Sequence, residues 1–195
     1  MNLLNNALIF ILKALLDFLT ILFLLRFYFQ LIKIPFQNQM GQLVVALTNF
    51  AVKPARRIIP SFGKFDLATF LLAFLSQILL ALATILLSTS PWLSMGAKVL
   101  AAILVIATFS ISSLIIMGFI AGVLLFCILG WVHPYSPAMP FLQQFSDPVL
   151  RSFRKITPLI ANLDLSPFVF TIVAQLLLYI LDSIEPRILA NLLLM

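Results

Sequence analysis

Phe50-Ala51-Val52-Lys53-Pro54-Ala55-Arg56-Arg57-Ile58-Ile59-Pro60 and Pro148-Val149-Leu150-Arg151-Ser152-Phe153-Arg154-Lys155-Ile156-Thr157-Pro158 are two copies of one element, 98 positions apart without a gap. Lys53, Arg56 and Arg57 match Arg151, Arg154 and Lys155, and Pro60 matches Pro158. The register continues through Asp66 onto Asp164 and into the apolar run that follows each. A basic, proline-bounded element has been duplicated together with its neighbouring apolar segment, which predicts two repeats, residues 1–90 and 91–195.

What surrounds the two copies is membrane-like. Of 195 residues 63% are hydrophobic and 9% charged, and the mean hydropathy is +1.19. Soluble domains carry about 25% charged residues, so a water-soluble enzyme is excluded on composition. A hydrocarbon layer about 30 Å thick takes roughly 20 helical residues to cross. Residues 7–32, 67–87 and 106–131 meet that length, and 165–184 meets it with its flanks included. None alternates with period two, so the expected class is an all-α membrane protein with four transmembrane helices in two parallel repeats. The run 99–132 is longer than one upright crossing needs, and one long tilted helix, an interfacial stretch followed by a span, or two short crossings would each take it up. An interfacial stretch over 92–105 followed by a span over 106–131 is expected there, with Ser110, Ser112, Ser113, Gly118 and Gly122 marking where a break is tolerated.

Charge sets the topology. Lysine and arginine number 12 against 6 acids, and eight of the 12 lie in two loops: Lys33, Lys53, Arg56, Arg57 and Lys64 in one, Arg151, Arg154 and Lys155 in the other. The positive-inside rule puts both loops in the cytoplasm, with two spans between them and both termini outside. Too little soluble surface remains for a basic groove that would hold nucleic acid. One cysteine, Cys127, and one histidine, His133, cannot build a metal or haem-attachment site unaided. No phosphate-binding loop, nucleophile elbow or zinc motif occurs, so the expectation is a protein without enzyme activity or cofactor.

The order span, loop, basic proline-bounded box, aspartate and span, present twice, resembles the YggT family of bacterial integral membrane proteins, whose relatives include YlmG of Gram-positive bacteria and plastid proteins. Arg56-Arg57-Ile58-Ile59-Pro60 with Asp66 carries the resemblance most specifically; the second copy departs from it in Arg154-Lys155 and has Ala161 where the first has Gly63. The resemblance implies the bacterial inner membrane and a part in envelope or osmotic stress. Through the plastid relatives it also implies haem attachment to a membrane cytochrome, or nucleoid and division organisation.

The residues themselves suggest where chemistry sits. Asp147-Pro148 reads as a helix start, placing Arg151, Arg154 and Lys155 on one side of a short interfacial helix. Pro54 starts or kinks the matching turn, after an apolar stripe of Leu43, Val44, Leu47 and Phe50. Lys53, Arg56, Arg57, Arg151, Arg154 and Lys155 are therefore the candidate binding residues, for anionic lipid headgroups, with a membrane protein or a second copy of the chain as the alternative partner. Asp66 and Asp164 are expected to cap the following spans; the alternatives are an ion or proton site, or a bridge to the box of the other repeat. Lys13 and Asp17, at i and i+4, are expected to pair within the first span, where the alternative is an ion or osmolyte pathway. Arg26 is expected to snorkel toward the cytoplasmic interface. Gln77 and Gln175, mates in the repeat, are expected in helix packing.

The topology is open to test. In a Cys127→Ala background, cysteines placed at 57 and 155 should react with an impermeant thiol reagent only from the cytoplasmic side; labelling from opposite sides would break the four-span reading.

Overall fold

Segments apolar at almost every position have no backbone partner in hydrocarbon except their own carbonyls, and so fold as helices. The computed structural model describes residues 3–34, 38–59, 65–87, 96–157 and 164–194. They form six helices and no strand: α1 (Leu3–Leu31), α2 (Gln39–Ile58), α3 (Leu67–Leu87), α4 (Ala97–Val132), α5 (Met139–Arg154) and α6 (Ser166–Leu194). Four of these, α1, α3, α4 and α6, are long and apolar enough to cross a membrane. The other two carry the basic boxes.

The helices assemble into two compact units, Met1–Leu114 with Ser183–Met195, and Ile115–Asp182. The first contains α1, α2, α3 and the N-terminal half of α4. Helix α1 packs mainly on α3, and α2 touches both. Asn5 Nδ2 donates to the Leu87 carbonyl at 3.1 Å, while Phe27 stacks on Phe70 with ring centroids 5.5 Å apart, so the two spans run antiparallel. Phe23, Val52 and Ala73, one from each of α1, α2 and α3, form the core. Helix α1 ends because Lys33 adopts a left-handed φ of 59°, which lets the Ile34 amide reach the Phe29 carbonyl at 2.9 Å and leaves Ile34 buried.

Several expectations need correction. No interfacial stretch separates from a span at residue 105: α4 is one helix of 36 residues, about 54 Å long at 1.5 Å per residue. Residues 92–95 of the expected stretch lie outside the described ones. The reason is packing. Val99, Ile103 and Ile106 lie against Ile78, Ala81 and Ile85 of α3, so this part of α4 has a helix to cover it. The serines do not break the helix, since Ser112 Oγ donates to its own Thr108 carbonyl at 2.9 Å. Helix α5 begins at Met139, not Pro148, with Pro140 in its first turn and Pro148 inside; likewise Pro54 lies inside α2. Helix α2 is capped by Asn38, whose side chain accepts from the Gly41 amide at 2.6 Å. The fourth span extends further than expected, to Leu194.

The second unit packs α5 and α6 on the C-terminal half of α4 around Val123, Leu150, Phe170 and Ala174. Gly122, expected at a break, has another function here: a Cβ at that position would lie 2.1 Å from a ring carbon of Phe145. Phe145 is buried in the space the glycine leaves and stacks on Phe119 at 5.5 Å. Gly118 faces open space. Gly122→Ala should therefore destabilise the protein in detergent by about 1–3 kcal/mol through overpacking. Gly118→Ala should instead stabilise it by roughly 0.5–1 kcal/mol through helix propensity. Thermal unfolding of the two variants beside the parent separates these outcomes by sign.

Candidate functional site

Each repeat sets its basic helix beside the start of the next span, and one ion pair joins them. In the first, Arg56 Nη2 donates to Asp66 Oδ2 at 2.5 Å and to Gln30 Oε1 of α1 at 3.0 Å. In the second, Arg154 Nε donates to Asp164 Oδ2 at 2.8 Å. The partners are repeat mates, 56 with 154 and 66 with 164, so the sequence duplication is reproduced as a duplicated contact. Both aspartates also cap. Asp66 accepts from the Thr69 hydroxyl and, at 3.4 Å, from its amide; Asp164 accepts from the Ser166 amide at 2.9 Å and hydroxyl at 2.5 Å. Capping was expected. The bridge runs to the arginine of the same repeat, not of the other.

The pairing divides each triplet of cations. Val44, Thr48 and Val52 form the buried face of α2, with Arg56 at the edge of that face and turned toward Asp66. Lys53 and Arg57, at i and i+4, are exposed and make no ion pair among the described residues. Arg151 and Lys155, their mates, are exposed and unpaired in the same sense. The apolar stripe of α2 splits as well. Val44 turns inward, while Met40, Leu43, Leu47 and Phe50 are exposed beside Lys53 and Arg57.

The two boxes differ in their surroundings. Asp66 is fully buried, whereas the Asp164 side chain keeps 33% of its surface and Arg154 38%. Arg154 also donates through Nη1 to Asp147 at 2.9 Å, so Asp147 serves as a second carboxylate for Arg154 and not as a helix cap. Asn49, the mate of Asp147, instead accepts from Arg26 Nη1 at 3.0 Å, and Thr48 Oγ1 accepts from the same nitrogen at 2.6 Å. Arg26 was expected to snorkel. It is 5% exposed and held against α2, with its Nε lacking a hydrogen-bond partner among the described residues. The repeat offers no hint of this, because Leu124 stands at the matching position.

Within the first span, Lys13 and Asp17 do not pair. Gln77 Nε2 reaches from α3 to Asp17 Oδ1 at 2.9 Å and to Thr20 Oγ1 at 3.0 Å, both near the midpoints of their helices. Lysine N-terminal to an acid at i, i+4 is the weaker order, because helical side chains lean toward the N-terminus and Lys13 points away from Asp17. Gln175, the repeat mate of Gln77, is exposed. His133 is exposed past the end of α4, and Cys127 is a free thiol half-buried against the second core. Pro60, Gly63, Lys64, Pro158 and Ala161 lie outside the described residues.

Opposing effects act on the carboxyl groups. Burial pushes Asp66 up, but hydrogen bonds from Arg56 and Thr69 together with the Arg56 charge outweigh it and hold the group below the usual carboxylate range. Asp164 is lowered in the same way, burial being overcome by Ser166 and Arg154. Arg154 is raised: burial works against its charge, and the two carboxylates more than offset that.

A family model described as CCB3/YggT matches residues 5–87 and 98–184, one segment per repeat. Among curated proteins, an uncharacterised protein of Pseudomonas aeruginosa is 35% identical over 84% of this chain and 82% of its own length. The uncharacterised protein YggT of Escherichia coli K12 is 31% identical over 91% of this chain and 88% of its own. An uncharacterised protein of Vibrio alginolyticus is 31% identical over 92% and 95%. No solved structure matches the chain.

Because Asp66 is fully buried and Asp164 is not, equal substitutions should have unequal effects. Asp66→Asn should lower stability by about 1.5–3 kcal/mol, the range for a hydrogen bond to a charged group. Asp164→Asn should cost about 1 kcal/mol or less, as an exposed pair does. Since the folded carboxyl is lowered, its stabilisation is complete above the unfolded value near pH 4 and fades as pH falls through the folded value. Thermal unfolding in detergent from pH 7 to 3 should show a steeper acid loss in the parent than in Asp66→Asn.

Proposed function

The chain belongs to the CCB3/YggT family, and from that premise we propose that it is a non-enzymatic organising protein of the bacterial inner membrane that holds anionic headgroups against its two basic helices. One observation carries the reading. Each box commits one arginine to an aspartate and leaves two cations outward: Lys53 with Arg57, and Arg151 with Lys155. A box that served only to fix the helix would need the arginine alone. The exposed stripe of Met40, Leu43, Leu47 and Phe50 beside Lys53 and Arg57 suits an interfacial helix, apolar side in the acyl boundary and cations at headgroup level.

The rest of the proposal follows from charge. The boxes face the cytoplasm by the positive-inside rule, where the leaflet surface is anionic. Each cation near such a surface contributes about 1 kcal/mol, so four give an attachment worth several kcal/mol and sensitive to lipid composition and salt. An envelope or osmotic-stress role fits a protein that reports on, or gathers, anionic lipid, and a membrane protein with an acidic face is the alternative occupant of the same cations.

The test is lipid retention. Purified in mild detergent and weighed by native mass spectrometry, the parent should carry phosphatidylglycerol or another anionic phospholipid. Each of Lys53→Glu, Arg57→Glu, Arg151→Glu and Lys155→Glu should weaken retention by at least about fivefold, the equivalent of 1 kcal/mol. Retention unchanged in the fourfold variant, with the protein still inserted and folded, would sink the proposal.

A further inference from the structure

The two boxes are alike in sequence and unlike in charge. On α2, Asn49, Lys53 and Arg56 stand at i, i+4 and i+7, on one side of the helix. Helix α1 brings Arg26 to Asn49 and Gln30 to Arg56, and Asp66 closes on Arg56 from the start of α3. Arg26 lies within electrostatic range of both Arg56 and Asp66. This side of the α1–α2 contact therefore gathers two cations, Arg26 and Arg56, around one carboxylate, with a third, Lys53, exposed on the same side of α2. In the second unit the matching positions hold Leu124, Ile128, Asp147, Arg151, Arg154 and Asp164. There two cations face two carboxylates, and Arg154 is bonded to both.

Among the described residues the buried guanidinium of Arg26 has no carboxylate bonded to it and its Nε is unpartnered, an expensive state for such a group at the edge of a membrane. Thr48 and Asn49 satisfy one nitrogen and neutralise nothing. Arg56 keeps 40% of its side-chain surface exposed and Lys53 is exposed, so the Arg56 end of this contact is open to the interface. We infer that the α1–α2 crevice of the first repeat, built from Arg26, Asn49, Lys53 and Arg56, is a specific site for a phosphate monoanion, whereas the second repeat's box neutralises itself and serves as a structural tie. The ligand chemistry is a phosphate: the phosphodiester of an anionic lipid or free inorganic phosphate. It would bring the missing negative charge and an acceptor for Nε.

This inference rests on the headgroup reading but narrows it to one repeat, so its test uses a signal the outward cations do not produce. Protein labelled with [15N]arginine is placed in phosphatidylcholine nanodiscs, and the Arg26 Nε–H resonance is assigned by its loss in Arg26→Lys. Titration with inorganic phosphate in one arm, and inclusion of phosphatidylglycerol in the other, identifies the source: a saturable shift in either arm is the expected result, and no shift in both overturns the site. Asn49→Asp installs the residue the second repeat carries at Asp147, and should weaken the response at least about tenfold by giving Arg26 an internal anion. Arg26→Gln, watched through the Arg56 resonance, should do the same while keeping hydrogen bonds to α2, and thermal unfolding confirms that both variants are folded. Lys98→Ala, an exposed cation at the opposite end of α3 from Asp66, should leave the affinity within about twofold, as a remote screened charge does. A response that ignores Asn49→Asp overturns the inference. If the Arg26 signal stays silent while the outward substitutions still strip lipid, the general reading survives and the specific site does not. If the signal responds while Arg57→Glu, Arg151→Glu and Lys155→Glu strip no lipid, the reverse holds.

Discussion

The bond between an interfacial arginine and the aspartate that opens the next span is the contact on which both repeats are built. A helix lying in the headgroup layer has only its apolar face to hold it, and that face slides freely over lipid. Arg56 on Asp66 and Arg154 on Asp164 fix the end of such a helix to the N-terminus of a spanning helix. The aspartate is well placed for this: at a helix start the macrodipole and the capping amides already favour its charge, so the ion pair costs less desolvation than it would elsewhere at that depth. Because the same carboxylate caps and pairs, span entry and box geometry are one constraint. Neither can shift without the other.

Much of this was legible in the sequence, because it depends on periodicity and composition. Four spans, the gapless duplication and the capping aspartates follow from apolar run length, from register and from the residue types preferred at helix starts. What was not legible depends on which surface a helix finds. The stretch 97–105 reads as interfacial only if nothing covers it, and α3 does. Asp147 before Pro148 reads as a helix start only if the chain ahead is not already helical, and Phe145 seated against Gly122 keeps it so. Arg26 reads as a snorkelling residue because long cations near span ends usually are, and the acceptors that hold it, Thr48 and Asn49, lie more than 20 residues away. Lys13 and Asp17 were matched by spacing. The acid finds Gln77 instead, since an interhelical amide can reach a carboxylate that a lysine pointing the other way cannot.

Compact units and sequence repeats do not coincide. The repeats divide near residue 90, but packing divides between 114 and 115, inside α4, with the end of α6 in the first unit. A helix of 36 residues is long enough for its first half to complete one core and its second half another. This changes what the second repeat must do. Its opening span presents Ala102, Ile103, Ala107 and Ile111 as buried surface in the first unit, so positions that matched α1 by descent have been taken up by a different partner.

Divergence between the repeats follows a consistent physical pattern. Where the first has Asp17, Thr20, Arg26 and Gln30, the second has Ile115, Gly118, Leu124 and Ile128. The first half thus carries buried polar groups on α1 and satisfies them from α2 and α3; the second has apolar residues or glycine at those positions of its opening span and packs aromatic rings in its core, Phe119 on Phe145 and Phe153 on Phe170. With Leu124 at the position matching Arg26, the residue after Ser146 has no α4 cation to meet; it is Asp147, which turns to Arg154 instead. Ser146, the mate of Thr48, is buried with its hydroxyl unpartnered among the described residues, Leu124 offering no donor where Arg26 meets Thr48. Charge that one repeat leaves open is, in the other, closed internally. A duplicated element can divide its work this way: one copy satisfies its own ions and keeps the shape, which frees the other to hold more cations than carboxylates and leave the balance for a ligand to supply.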